Sequence, residues 1–280
     1  MTAFDALAAD YDASFTATSL GTLLREAVWR RLDARFSPGD RVLELACGTG
    51  EDAVHLARRG VWVVATDASP AMVETARRKV AAAGFEEMIE VHQADLERLP
   101  PLPGDGYRPA EGRGGEGGWG GEVGWGAGPF DGAFSDFGGL NCVADLRGVA
   151  LALARRLRPG ATVVLCVMGP LVPWEWAWYL GQGDLKRAFR RLRPSGVVWR
   201  GLTVRYPSIL ALRRAFAPEF RKLRISAVGA LLPPTYIEEW TRRHPRLLAG
   251  LARWERRLER MPPLPWLADH YLIELERRAV

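Results

Sequence analysis

Cysteine, histidine and methionine are scarce in this chain: 3, 4 and 5 residues among 280. Cys47, Cys142 and Cys166 form no CxxC pair and have no histidine at ligand spacing, which argues against a disulfide framework or a structural zinc site. No apolar run approaches the roughly 18 residues that a membrane span needs. The opening MTAFDALAADYD is acidic and lacks the basic start and apolar stretch of a secretion signal. These absences predict a soluble, cytoplasmic protein. With 48% hydrophobic and 25% charged residues, the chain is too apolar for disorder and can fill a sizeable core. Its length suits one domain with large insertions, or a core with a cap.

The net charge of +5 conceals a polarised distribution. Residues 185–260 hold 19 Lys/Arg against five Glu, a local excess of +14 that leaves −9 for the remainder. Seven of the eleven tryptophans lie at or after Trp174, so the late part of the chain is both basic and aromatic.

Residues 3–36 read as helical, with apolar positions from Leu20 to Leu32 at helical spacing, ended by Ser37-Pro38-Gly39-Asp40. Short β-rich runs follow at RVLELACG, VWVVATD (61–67), MIEVHQAD (88–95), FDGAFSDF (130–137) and ATVVLCVM (161–168), with helices between them. Ser69-Pro70 supplies an N-cap and a first-turn proline. Strands alternating with helices predict a parallel α/β sheet covered on both faces. Residues 104–128, with 12 glycines in 25, interrupt the alternation and read as a flexible surface loop. Later come a helical stretch broken near Gly181 and Gly183, a ribbon at 197–207, a helix capped by Ser208, a strand at 220–232, helix over 235–261 and a last strand at 270–277.

The chemistry is concentrated in Glu44-Leu45-Ala46-Cys47-Gly48-Thr49-Gly50-Glu51. Glycines at a strand-to-helix turn let a ligand approach the backbone, and the helix start offers free amides. Gly48-x-Gly50-x-x-Ala53 also meets the loose dinucleotide pattern, so the glycines alone leave the cofactor open. The acids narrow it. Asp67 closes the second strand, where a carboxylate can take a ribose diol; Asp95 closes the third, where it can take an adenine amino group. Glu44 suits an amine-bearing ligand better than a pyrophosphate.

VLELACGTG, VVATDASPAMVETARRK and EVHQADLERLP resemble motifs I, II and III of the class I S-adenosylmethionine-dependent methyltransferases, closest in flavour to the ubiquinone/menaquinone-type small-molecule enzymes. The resemblance covers about 40–168. It implies a Rossmann-like seven-stranded sheet with helices on both faces and the last strand antiparallel. Its cofactor would be S-adenosyl-L-methionine. Gly48, Gly50 and the Ala46 carbonyl would meet the methionine end, with Glu44 below and Ser135 facing it. Asp67 would hold the ribose, Ala68 and Met72 would flank the nucleoside, and Asp95 and Leu96 would bind adenine. Tyr11 resembles the tyrosine that closes over the cofactor. The division implied is an N-terminal cover (1–36), a cofactor-binding core (37–168) and lid insertions with closing strands (169–280).

Neither NPPY nor DPPY follows the fourth strand, which disfavours methylation of DNA-base amines; Asp136, Phe137 and Asn141 become the substrate-proximal candidates there. Parallel strands bind ligands at their carboxyl ends, so 169–207 and 231–269 are expected to cover the site as a mainly helical lid, bringing Trp174 near the substrate. His270, opening the last strand at that rim, is the candidate general base. No metal is called for. The expected acceptor is a small hydrophobic or anionic molecule, methylated on oxygen or carbon. Trp/Arg mixing around 174–193 also fits contact with an anionic membrane surface. An RNA methyltransferase using the basic region, and a non-catalytic nucleotide-binding protein, are the alternatives; no RNA-binding module is recognisable, so nucleic acid is disfavoured. The sequence leaves the oligomeric state open.

Overall fold

The computed structural model describes residues 4–99, 129–234 and 238–279. The glycine-rich insertion at 104–128, with Trp119 and Trp125, lies outside the described residues.

One seven-stranded sheet organises the molecule. Its strands are β1 (Arg41–Leu45), β2 (Trp62–Asp67), β3 (Ile89–Gln93), β4 (Phe130–Ser135), β5 (Leu157–Met168), β8 (Phe220–Val228) and β9 (His270–Arg277). A separate two-stranded ribbon is made by β6 (Val197–Trp199) and β7 (Leu202–Val204). The sheet order is β3-β2-β1-β4-β5-β9-β8; β1 to β5 pair in parallel, and β9 runs antiparallel to both β5 and β8. This is the Rossmann-like sheet with its last strand reversed that the sequence predicts. The order reverses at β1, between β2 and β4, and such a switch point opens a crevice at the carboxyl ends of the strands.

Strand alternation divides the core between the two faces. Val42, Val63, Phe134 and Val164 face α1 (Ser19–Asp33), α2 (Glu51–Ala57) and α3 (Pro70–Ala83). Their neighbours Leu43, Val64, Ala133 and Val163 face α4 (Leu146–Arg156) and α7 (Ile209–Phe216). A period of two on strands buried on both sides requires this near-continuous apolar sequence. The helix starts follow capping chemistry: Ser69 Oγ accepts from Met72 N at 3.2 Å ahead of Pro70, and Ser208 Oγ from Ala211 N at 3.2 Å.

The helix expected over 3–36 is broken. Residues 12–16 form a wide π-type turn, and α1 begins only at Ser19, where Thr18 Oγ1 accepts from Gly21 N at 3.0 Å. Gly21 is required there, because a Cβ would lie 1.9 Å from the Phe15 carbonyl oxygen. The helix expected over 235–261 is likewise split into α8 (Glu238–Arg243) and α9 (Pro245–Leu258). His244 precedes a proline and leaves the helical region (φ −126°, ψ 54°).

The expected lid differs in its second half. Leu248 and Leu251 of α9 join the core cluster of α1, and Glu259 pairs with Arg30 and Arg31, so this helix packs on the flank of the sheet. The first half does stand at the rim. It comprises α5 (Pro173–Gly181), α6 (Leu185–Ala188) and the ribbon. Arg191 holds it there, donating to the carbonyls of Gly169 and Asp269 (3.3 and 3.2 Å) and pairing with Glu175 and Asp269 (2.8 and 2.6 Å). No helix among the described residues is long and apolar enough to cross a membrane.

Candidate active site

Between β1 and α2 the backbone takes three left-handed residues in five, Ala46 (φ 56°), Gly48 (53°) and Gly50 (77°). The curl is pinned by Cys47 N donating to the Thr66 carbonyl at 2.8 Å and Gly50 N to the Cys47 carbonyl at 2.9 Å. A Cβ on Gly48 would meet nothing within 4 Å, so that residue faces open space; one on Gly50 would press on Ala76 of α3. From the other side, Gly139 lets the loop after β4 close on β1: a Cβ there would lie 2.4 Å from that of Ala46.

Asp67, ending β2, accepts from Gly48 N at 2.9 Å and Ser69 N at 2.8 Å. Each carboxylate oxygen retains a lone pair for a ligand hydroxyl. Burial raises its pKa, and the amides of Ser69 and Gly48 oppose the rise. Ala68 is exposed beside it, while Met72 is buried in the first turn of α3. Asp95, exposed, accepts from Glu97 N at 2.9 Å, and Leu96 is buried. The nucleoside candidates thus follow one another along the ends of β2 and β3.

Beneath the glycine loop lies a cluster the sequence showed only in part. Glu44, Asp52 and Asp136 are all buried, with carboxylate oxygens within 4.8 Å of one another. Arg25 of α1 pairs with Asp52, whose other oxygen accepts from Trp29 Nε1 at 2.6 Å. The Arg25 guanidinium also lies 5.1 Å from the Phe137 ring centre and 5.7 Å from that of Phe15. Both Glu44 oxygens, Asp136 Oδ2 and Ser135 Oγ have no hydrogen-bond partner among the described residues. Burial, then the charge of Asp52, pushes the Glu44 and Asp136 carboxyls well above the usual range. Burial acts on Asp52 as well, but Arg25 outweighs it and holds this carboxyl low. The cluster is therefore one fixed ion pair beside two carboxyls whose ionisation burial and the Asp52 charge disfavour.

Tyr11, Ala46, Gly48, Asp136 and Phe137 line one cavity together with Arg25, Thr49 and Asp52. A second hollow, between α1 and α9, is lined by Leu23, Ala27, Gly229 and Leu232 among others and shares no residue with the first. The N-terminal segment is strapped across the first cavity. Asp12 accepts from Thr49 Oγ1 at 2.7 Å and pairs with Lys79 at 2.7 Å, and Ser69 Oγ donates to Asp5 at 2.5 Å.

The remaining candidates are placed unevenly. His270 opens β9 opposite Met168 and Val228, is buried, and meets Phe137 edge-on at 5.6 Å. Its Nδ1 lies 3.1 Å from Asp269, whose carboxyl Arg191 and His270 hold low against the effect of burial. Asn141, expected beside the substrate, has its carboxamide engaged instead. It donates to the carbonyls of Met168 and Arg205 (3.1 and 2.6 Å) and accepts from Met168 N at 3.0 Å, so it clamps the ribbon to the rim. Trp174 stands half-buried in the first turn of α5 and, like His270 and Ser135, is outside the residues lining the cavity. Sequence reasoning missed Arg25, Trp29 and Asp52. The signal for Arg25 was a cation on the apolar stripe Gly21-Leu24-Val28-Leu32 of α1.

Residues 42–107 match a family described as a methyltransferase domain. A demethylmenaquinone methyltransferase of Mycobacterium marinum (strain ATCC BAA-535 / M) is 32% identical over 166 residues, 58% of this chain and 56% of the relative. That of Clavibacter sepedonicus is 31% identical over 174 residues, 61% and 58%. The chain thus spans just over half the length of the curated relatives it matches. An S-adenosylmethionine-dependent methyltransferase structure from Mesorhizobium loti superimposes with a TM-score of 0.54 at 19% identity, covering 91% of this chain and all of the other. The [4+2]-cyclase SpnF gives 0.56 at 16%, covering 91% and 81%. Likeness at such identities is one of fold, and a fold is shared across chemistries. The matched segment holds the glycine loop, Asp67 and Asp95, so the part of this chain that is similar to a methyltransferase domain is the part that forms the candidate site.

Proposed function

We propose that the chain transfers a methyl group from S-adenosylmethionine to a small, hydrophobic or anionic acceptor, on oxygen or carbon. The observation that carries the reading is the buried carboxyl of Glu44, with both oxygens unpartnered among the described residues, two positions before the left-handed Ala46 that opens the glycine loop. An uncompensated buried carboxyl is costly, and an ammonium is the group that relieves it. A metal fits less well, because the Arg25 guanidinium already occupies Asp52. Pyrophosphate fits worse still, since two further carboxyls would face it.

S-Adenosylmethionine, when bound, supplies a methyl group on a sulfonium, an electrophile with a neutral leaving group. The chain's residues bind and orient it. Glu44 and the Ala46 carbonyl take the ammonium, Gly48 and Gly50 admit the methionine end, and Asp67 takes the ribose hydroxyls. Ala68 and Met72 flank the nucleoside, with Asp95 and Leu96 at the adenine. Ser135 stands at the methionine end, and Tyr11 covers it from the strapped N-terminal segment. Alignment supplies most of the rate in such a displacement. A hydroxyl acceptor also needs a base, and His270, with Nδ1 3.1 Å from Asp269, is the candidate beside Phe137. Asp136 and Trp174 remain substrate-side candidates. The relatives' acceptor, demethylmenaquinone by name, favours a lipophilic molecule.

Calorimetric titration with S-adenosylmethionine, and separately with NAD, tests the reading. Binding of the first alone, lost in Asp67→Ala, is expected. Binding of NAD alone, or of neither, overturns it.

A further inference from the structure

We propose that the α5–α6 corner and the tip of the β6–β7 ribbon form a docking surface for an anionic lipid bilayer. The corner exposes Trp178 (43%), Leu180 (44%), Leu185 (63%) and Leu192 (44%), and the ribbon tip exposes Val198 (73%) and Trp199 (38%). Scattered exposed apolar residues are ordinary, but six within 22 residues, on elements anchored to the same end of the sheet, are not.

The charge around them is mainly positive: between Pro173 and Pro207 the acids are the buried Glu175 and Asp184, which caps α6. From Leu185 to Pro207 the chain carries seven Lys/Arg and no acid. Lys186, Arg193 and Arg200 are exposed and make no ion pair among the described residues, while Arg187 and Arg190 lie over the Tyr179 ring at 5.9 and 5.5 Å. Aromatic and aliphatic side chains interleaved with unpaired cations match a bilayer interface, where the apolar groups enter the acyl boundary and the cations meet lipid phosphates.

Two other occupants fit less well. A nucleic acid would use the cations and the tryptophans, but it offers nothing to Leu180, Leu185, Leu192 and Val198. A second copy meeting this face through a two-fold axis would set like charges against each other.

Both elements are fixed to the end of the sheet that carries the carboxyl cluster. Arg191 ties the corner to Gly169 and Asp269, and Asn141 ties the ribbon to Met168. Phe4 of the N-terminal segment packs on Trp199 at 5.7 Å. A bilayer held there would face the cavity mouth, so an acceptor dissolved in the membrane would enter without crossing water. The surface does not depend on the chemistry of the site, so the test uses no cofactor.

The experiment is flotation of the full chain with vesicles of phosphatidylcholine alone and of equal parts phosphatidylcholine and phosphatidylglycerol. Binding to the anionic vesicles only, weakened by salt, is expected. Leu185→Glu with Leu192→Glu should abolish it. Neutralising Lys186, Arg193 and Arg200 to Gln should weaken it about fivefold per charge, roughly a hundredfold together. All five positions are exposed, so melting temperatures should be unchanged and a lost interaction is not lost folding. No binding to anionic vesicles, variants that bind as the wild type does, tighter binding to a single-stranded RNA oligonucleotide, or a dimer that Leu185→Glu dissociates would each overturn the proposal.

Discussion

Replacing Glu44 by Gln should make the ligand-free protein more stable and the cofactor bind more weakly. The carboxyl is 1% exposed, has no partner for either oxygen among the described residues, and stands beside Asp52 and Asp136. Its folded pKa is raised by burial first and by Asp52 next. A carboxyl whose folded pKa exceeds its unfolded value binds more protons when folded. Stability is then full below the unfolded pKa, about 4.3, and declines as pH rises toward the folded pKa, by at most about 1.4 kcal/mol per pH unit. The amide does not titrate, so it removes this pH-dependent penalty. The Gln amide can donate to the unpartnered Asp136 Oδ2. Thermal melts from pH 4 to 8 should therefore show Glu44→Gln no more stable than wild type near pH 4. It should gain with each unit above that, by at most roughly 2 °C per unit. In the same variant, loss of a charge-assisted hydrogen bond of about 1.5–3 kcal/mol should weaken S-adenosylmethionine by roughly 10- to 150-fold in calorimetry. A variant less stable than wild type by the same amount at every pH would refute the account of a strained carboxyl.

Arg25→Met should cost about 3–5 kcal/mol, because it leaves Asp52 buried without its cation, and Arg25→Met/Asp52→Asn should recover part of that loss in denaturant melts. A double variant weaker than the single would sink the ion-pair explanation. Gly139→Ala should displace the loop after β4 from Ala46, since its Cβ would lie 2.4 Å from that of Ala46. The expected cost is about 1–3 kcal/mol with a marked loss of cofactor affinity, read by melting and calorimetry; unchanged affinity would show that the loops move independently.

Much of this architecture was legible locally. The strand beginning at His270 coincides with the apolar run, and Ser69-Pro70 and Ser208 cap as their sequence demands, because caps and strand periods depend on neighbouring residues only. The broken helix at 17–18 escaped because its cause, the Phe15 carbonyl against Gly21, is a contact between turns. In the candidate site, the glycine loop and Asp67 could be read from their place at strand ends. Arg25, Trp29 and Asp52 could not, since the fold brings α1 and α2 together across 23 to 27 residues of sequence. Asn141 looked like a substrate contact because an isolated polar residue in a loop looks the same whether it binds a ligand or, as here, the backbone of a ribbon 64 residues away.

The position of β9 governs the order in which the molecule can be completed. The last strand in sequence lies inside the sheet, between β5 and β8. Until it inserts, those two strands present bare hydrogen-bonding edges to each other's partners and to other chains. β8, which ends at the outer edge, carries Arg221, Lys222 and Arg224, and such charges discourage pairing with a stranger. β5 has no such protection on its inner residues from Val163 to Val167, all buried in the finished sheet. The chain thus emerges with its stickiest strand waiting for a partner more than a hundred residues downstream, and folding is a contest between that arrival and aggregation.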